Sequence, residues 1–174
     1  LQVRGYVSIK TWKFGKSSLN VSGNMSSKRV EVDARLSVGK NLETDYVDVG
    51  GSILVKGRVK AQSIDVGGGF TVMGEVEANL IDVGGSVTIE SKANVEKLDV
   101  GGKAVVKGGR VGKIDVGGLF ESKDSLEFDF IDVGGAVRLA GDSKGGNIDV
   151  GGSCKVDGDL QFGRIDVGGV VEIT

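Results

Sequence analysis

The apolar residues of this chain fall into short alternating pairs that return with a fixed period. The most regular element is the string [I/L/V]-D-V-G-G, which occurs eight times, with its aspartates at Asp48, Asp65, Asp82, Asp99, Asp115, Asp132, Asp149 and Asp166. Successive aspartates are 17 residues apart, except for one interval of 16 between Asp99 and Asp115. A second pair stands five and seven positions after each aspartate: Ile53/Val55, Phe70/Val72, Val87/Ile89, Ala104/Val106, Val137/Leu139, Cys154/Val156 and Val171/Ile173. A third stands eleven and thirteen positions after it: Val59/Ala61, Val76/Ala78, Ala93/Val95, Leu126/Phe128 and Leu160/Phe162. Each pair has the in-out-in alternation of a strand buried on one face. Phe120/Ser122 keeps only its first member, Ser143/Gly145 breaks the third column, and the shortened repeat offers only Val111 there.

Three short strands and three corners in about 17 residues describe one triangular coil. The motif glycines mark one corner, and Gly57, Gly74, Gly108, Gly141 and Gly158 mark another. Glycine reaches φ > 0, so tight turns are expected at both. An aspartate before a Gly-Gly corner is expected to accept hydrogen bonds from the backbone N–H groups of that turn. A coil this small cannot bury its own apolar face and must stack on the next. The predicted fold is therefore all-β: a single-domain parallel β-helix, a solenoid of about 17 residues per coil.

Residues 47–174 are the regular part and residues 1–46 a degenerate version of it. Val30-Glu31-Val32 aligns with the motif, followed by Leu36/Val38 and Leu42. One coil earlier, Trp12-Lys13-Phe14-Gly15 takes the motif place, followed by Leu19/Val21 and Met25, with Leu1/Val3 and Val7/Ile9 completing a partial first coil. The sum is about ten coils, a rod roughly 45–50 Å long at a ladder spacing of about 4.8 Å.

Composition narrows the function. The chain has 31 Gly but no Pro, which excludes collagen-like and polyproline classes. It has no His, which removes Ser-His-Asp and Cys-His nucleophiles and His-ligated metals. A single Cys allows no intrachain disulfide. The net charge of −2 gives no basic field for nucleic acid. No apolar run approaches the roughly 20 residues of a membrane span, and no signal-peptide pattern is visible in the sequence given.

The aspartate column, pointing outward between inward Ile and Val, could bind hard cations, but the second column of ligands that a calcium site needs is missing. D-V-G-G lacks the Lys-Ser/Thr and the helix of a phosphate loop. Cys154 stands at an inward position, where a Cys acts as a small hydrophobe. The outward columns, Leu54 to Glu172 and Lys56 to Asp157, mix charges without a carboxylate pair, and no inserted loop exists to build a cleft. No catalytic residue, cofactor or metal is expected, and the chain reads as a non-enzyme.

The end of the chain, Val167-Gly168-Gly169-Val170-Val171-Glu172-Ile173-Thr174, is ordinary repeat. Unpaired strand edges recruit further strands. Repeats such as IDVGGSVTIE and IDVGGGFTVMGEVEA, over a β-helix with no evident cap, resemble the bactofilins, a polymer-forming cytoskeletal family. The resemblance implies a right-handed helix, nucleotide-independent end-to-end filaments, scaffolding of other proteins, a cytoplasmic location and membrane association through tails. The expected polymerisation residues are Tyr6, Trp12 and Phe14 at one end, with Val170, Val171 and Ile173 at the other, and the expected partner is the chain itself. The alternative is an extracellular adhesin or carbohydrate-binding rod, for which an outward aromatic ladder or a polar groove is expected.

Overall fold

The computed structural model describes residues 6–9 and 17–174. Nineteen strands run from Tyr6–Ile9 to Val170–Ile173 among these residues, with no helix, in about nine turns of a parallel β-solenoid. Every strand pair is parallel, and the register of the regular part advances by 17 residues per turn, as from Asp48 to Asp65 and from Asp65 to Asp82, except for the step of 16 from Asp99 to Asp115.

Each turn has three faces. The motif face ends strands such as Val59–Val66 and Val76–Val83, the second face is a short strand such as Ser52–Val55, and the third face begins the next long strand. The alternation predicts the inside: Ile64, Val66, Phe70, Val72, Val76 and Ala78 are all buried. These columns form one continuous apolar core from Val21 to Val156.

Where a polar residue takes an inward place, it is satisfied locally. The Ser122 hydroxyl donates to Asp124 O at 2.6 Å, and Ser143 Oγ accepts from the Leu126 N–H at 3.1 Å. No buried side-chain N or O is left without a partner among the described residues, as interiors of native proteins require. Gly145, the other break in the third column, lies in register with Phe128. A Cβ on Gly145 would run into the Phe128 ring, so the aromatic fills the space the glycine leaves.

The corners depart from expectation. The motif glycines do not have positive φ; among the described residues only Gly108, Gly109, Gly141 and Gly158 do. Their requirement is proximity. A Cβ on Gly68 would lie 2.5 Å from Gly51 O, and one on Gly84 2.6 Å from Gly67 O, both in the preceding coil. Real Cβ atoms do not approach a backbone carbonyl this closely, so the stacking distance itself demands glycine. The N–H groups of the corner are also committed to stacking: Gly67 donates to Val49 O at 3.0 Å, Gly84 to Val66 O at 2.9 Å and Gly68 to Gly51 O at 2.8 Å. They continue the intercoil ladder and do not bind the aspartate before them, contrary to the turn expected from the sequence.

The 16-residue interval is accommodated at one corner. Ile89 faces Val106, but Lys92 already faces Gly108 and Ala93 faces Gly109. Gly108 and Gly109, at φ 149 and 113, cut this corner short, in a region that only glycine enters freely.

The first coil also differs from expectation. Val7-Ser8-Ile9, and not Trp12-Lys13-Phe14, holds the motif place, in register with Val30-Glu31-Val32. The following pair, Leu19/Val21, stands beside Leu36/Val38 as the pattern predicts. Trp12 and Phe14 lie outside the described residues.

Candidate functional site

The motif face carries a column of carboxylates in unbroken register. Glu31 precedes Asp48, and the column then runs through every motif aspartate to Asp166. At its other limit, Ser8 holds the position beneath Glu31. Two residues before each acid lies a parallel outward column, which supplies cations to some members only. Arg29 Nε donates to Glu31 at 2.8 Å, Lys97 Nζ to Asp99 at 3.3 Å and Arg164 to Asp166 at 3.0 Å. Beside Asp48, Asp65 and Asp82 the same column holds Tyr46, Ser63 and Leu80.

Like charges one strand spacing apart repel by about 1 kcal/mol in water, less in salt. Burial first, and then the charges of Asp82 and Asp48, push the Asp65 carboxyl above its ordinary value. A raised carboxyl holds its proton more tightly in the folded chain than in the unfolded one. Its ionisation therefore opposes folding above the raised value, and the opposition disappears as pH falls below the ordinary value of 3.8. Asp65→Asn is expected to raise the thermal midpoint at pH 7 in low salt, with a smaller gain in high salt and little near the ordinary carboxyl value. A lower midpoint at pH 7 would mean that the carboxylate is held by a favourable partner.

The third face is arranged in the opposite way. Its outward column alternates in sign through Glu43, Lys60 and Glu77, and again through Arg110, Glu127 and Lys144. Hydrogen bonds from Lys60 and Arg58 hold Glu77 below the ordinary carboxyl range, and one from Lys144 does the same for Glu127. These are exposed pairs of small energetic weight. Their effect is to neutralise this face, leaving the motif face as the acidic stripe of the rod.

Neither face gathers a metal site. A straight column offers one carboxylate per coil, and among the described residues no group of three or more His, Cys, Asp or Glu side chains could hold an ion. Cys154 is buried, and burial raises its thiol pKa, the reverse of an activated nucleophile. The cut corner leaves an open polar trough lined by Lys92, Lys107, Arg110, Asp124, Glu127 and Lys144, with mixed charge and no convergent set of like groups. The outward column beside the acids holds two aromatics, Tyr46 and Phe130, with Ser63, Leu80, Lys97 and Lys113 between them. No helix among the described residues is long and apolar enough to cross a membrane.

The remaining surface of note is the far edge of the last coil. Val171 and Ile173 lie in register with Cys154 and Val156, which are 1% and 0% exposed, yet they are themselves 45% and 48% exposed. They are core positions without a coil above them. Val170 is in register with the outward Ser153 and belongs to the outer surface. Phe162, at 43% exposure, joins the apolar edge, with Leu160, Ile165 and Val167 partly buried beside it. These four were legible in the sequence as inward columns, but not as one surface with Val171 and Ile173. At the opposite end the backbone of Tyr6 is placed beside Arg29.

No family model, no curated protein and no solved structure matches this chain.

Proposed function

We propose that this chain is a structural protein that assembles end to end, without nucleotide, into filaments that act as a cytoskeletal scaffold, as the bactofilins do. One observation carries the reading. The apolar edge formed by Phe162, Val171 and Ile173 repeats the columns by which every coil stacks on the next, and it is half exposed. A second copy offering a coil with the same columns would complete both the core and the ladder.

The magnitudes support assembly that depends on concentration. Fully burying a Val, Ile or Phe side chain contributes roughly 1.5–3 kcal/mol, so the half still exposed on three of them is worth about 3 kcal/mol. Association costs at least about 4 kcal/mol in lost freedom. The mating edge and the ladder hydrogen bonds must supply the difference. The motif face, with its acidic stripe, remains free along the filament for other proteins.

In negative-stain electron microscopy the 174-residue chain is expected to form filaments with neither nucleotide nor metal added. The double variant Val171→Arg/Ile173→Arg places two charges in the contact and is expected to give only short rods. Short monodisperse rods from both proteins would remove the filament reading and favour a binding rod.

A further inference from the structure

We infer that the third face is a binding groove for a linear, uncharged polysaccharide lying along the rod. The groove runs on the side of the solenoid and not at its ends, so it does not depend on end-to-end assembly.

Four open hollows follow one another along this face, of about 660, 320, 750 and 570 Å³. Each falls within the roughly 300–1,000 Å³ typical of ligand sites. They are continuous: Glu77 lines the first and the second, and Arg110 the second, third and fourth. The floor is low because its residues are small. Thr44 and Ala61 form it in the first hollow, Gly109 at the cut corner, and Gly145 and Gly146 in the last.

The lining selects against charged polymers. Outward residues of successive coils alternate in sign from Glu43 through Lys60 to Glu77, and an amide, Asn94, separates Glu77 from Arg110. A polyanion would meet a carboxylate within one or two coils of every cation, and a polycation would meet the reverse. Many of these charges are also engaged with each other: Glu77 with Arg58 at 2.6 Å and Lys60 at 3.1 Å, Glu127 with Lys144 at 2.9 Å. An extended peptide that adds a strand needs unpaired main-chain groups. Those of this face are spent on the ladder between coils.

A chain of hydroxyl groups fits where these do not. A hydroxyl both donates and accepts, so it can serve cations and carboxylates in turn. Side-chain amides suit it further, since each holds a donor and an acceptor in one plane. Gln62 and Asn79 line the first hollow together with Asp45, and Gln62 Nε2 lies 3.5 Å from Asp45 Oδ1. The three stand one coil apart in sequence, 17 residues each. At a coil spacing of about 4.8 Å, a linear polymer with a short repeat can use them in succession. Tyr46, next to Asp45 and 49% exposed, offers a ring for the apolar face of a sugar.

Equilibrium dialysis of the whole chain tests this in any state of assembly, because rods and filaments are retained alike. The probes are the neutral linear hexasaccharides of cellulose, chitin, laminarin and amylose, beside hexagalacturonate and hexalysine as charged chains of equal length. At least one neutral hexamer is expected to be retained, equally in low and high salt, and neither charged one. Gln62→Ala/Asn79→Ala is expected to weaken that retention about tenfold or more, since a lost hydrogen bond is worth about fivefold. Both residues are exposed, so the thermal midpoint is expected to stay unchanged. Asp132→Asn/Asp149→Asn, on the motif face, is expected to leave retention as it was. Retention of no neutral hexamer would overturn the inference, and so would preference for a charged one. Loss in the motif-face variant but not in the groove variant would overturn it too. Filaments from a chain that retains no hexamer would remove the groove and leave the assembly reading in place.

Discussion

Gly84→Val is expected to cost about 3 kcal/mol or more of folding stability, whereas Gly69→Ala, fifteen residues earlier in the same kind of coil, costs nothing. The first substitution drives a Cβ to 2.6 Å from Gly67 O in the coil beneath. Both atoms belong to the backbone, so relief requires the two coils to part. Parting them stretches the ladder bonds from Gly84 N to Val66 O at 2.9 Å and from Ser86 N to Gly68 O at 3.0 Å. Overpacking of this kind costs typically 1–3 kcal/mol, and two weakened ladder hydrogen bonds add to it. A Cβ on Gly69 instead meets nothing closer than Ser86 Oγ at 3.7 Å, an ordinary contact. Removing a flexible glycine there lowers the entropy of the unfolded chain and is worth up to about 1 kcal/mol. Urea unfolding of the two variants beside the parent separates the cases. A stable Gly84→Val protein would mean that the coils can move apart without loss.

Phe120→Ala is expected to destabilise the chain by about 3–5 kcal/mol, at the upper end for a core truncation. Phe120 is fully buried and lies in register between Ala104 on one side and Val137 on the other. The large ring compensates for the small neighbour. Alanine at 120 would stack two methyl groups where the core needs an aromatic, and the gap could not close. The spacing between coils is held by the backbone ladder, so the walls of the cavity cannot collapse onto it, and the cost of such a site rises with the residual void. The neighbouring Ser122, whose hydroxyl is already committed to Asp124 O, cannot fill it. Phe120→Leu, close to volume-conserving, is expected to lose much less. Thermal or urea unfolding gives the difference directly, and similar losses for Ala and Leu would show that volume is not what this position supplies.

Stability and assembly draw on the same feature in this reading. A motif glycine permits close stacking within the chain, and the same spacing would have to hold across a junction between copies. A substitution that loosens internal coils is therefore expected to weaken end contacts as well, whereas the acidic stripe can be altered without touching either.

How much of this was legible in the sequence depends on the range of the interaction. The period, the three faces and the inward residues follow from alternation and repetition alone, because burial on one side of a strand imposes a period of two on the chain itself. Ile64, Phe70 and Val76 needed no tertiary information. The meaning of the motif glycines did, since what forbids a Cβ at Gly84 is a carbonyl 17 residues away and not the local φ. The same distance hides why Asp65 finds no N–H in the corner that follows it: those donors are taken by the coil beneath. The compensation between Phe128 and Gly145 is also invisible along the chain, because the two share space only after stacking. In the first coil, Trp12-Lys13-Phe14 and Val7-Ser8-Ile9 both satisfy a two-residue alternation, and only pairing with Val30-Glu31-Val32 chose the latter. By itself the sequence determined which residues turn inward. Which atoms then come close enough to exclude a side chain, claim a donor or complete an edge was decided by the stacking of one coil on the next.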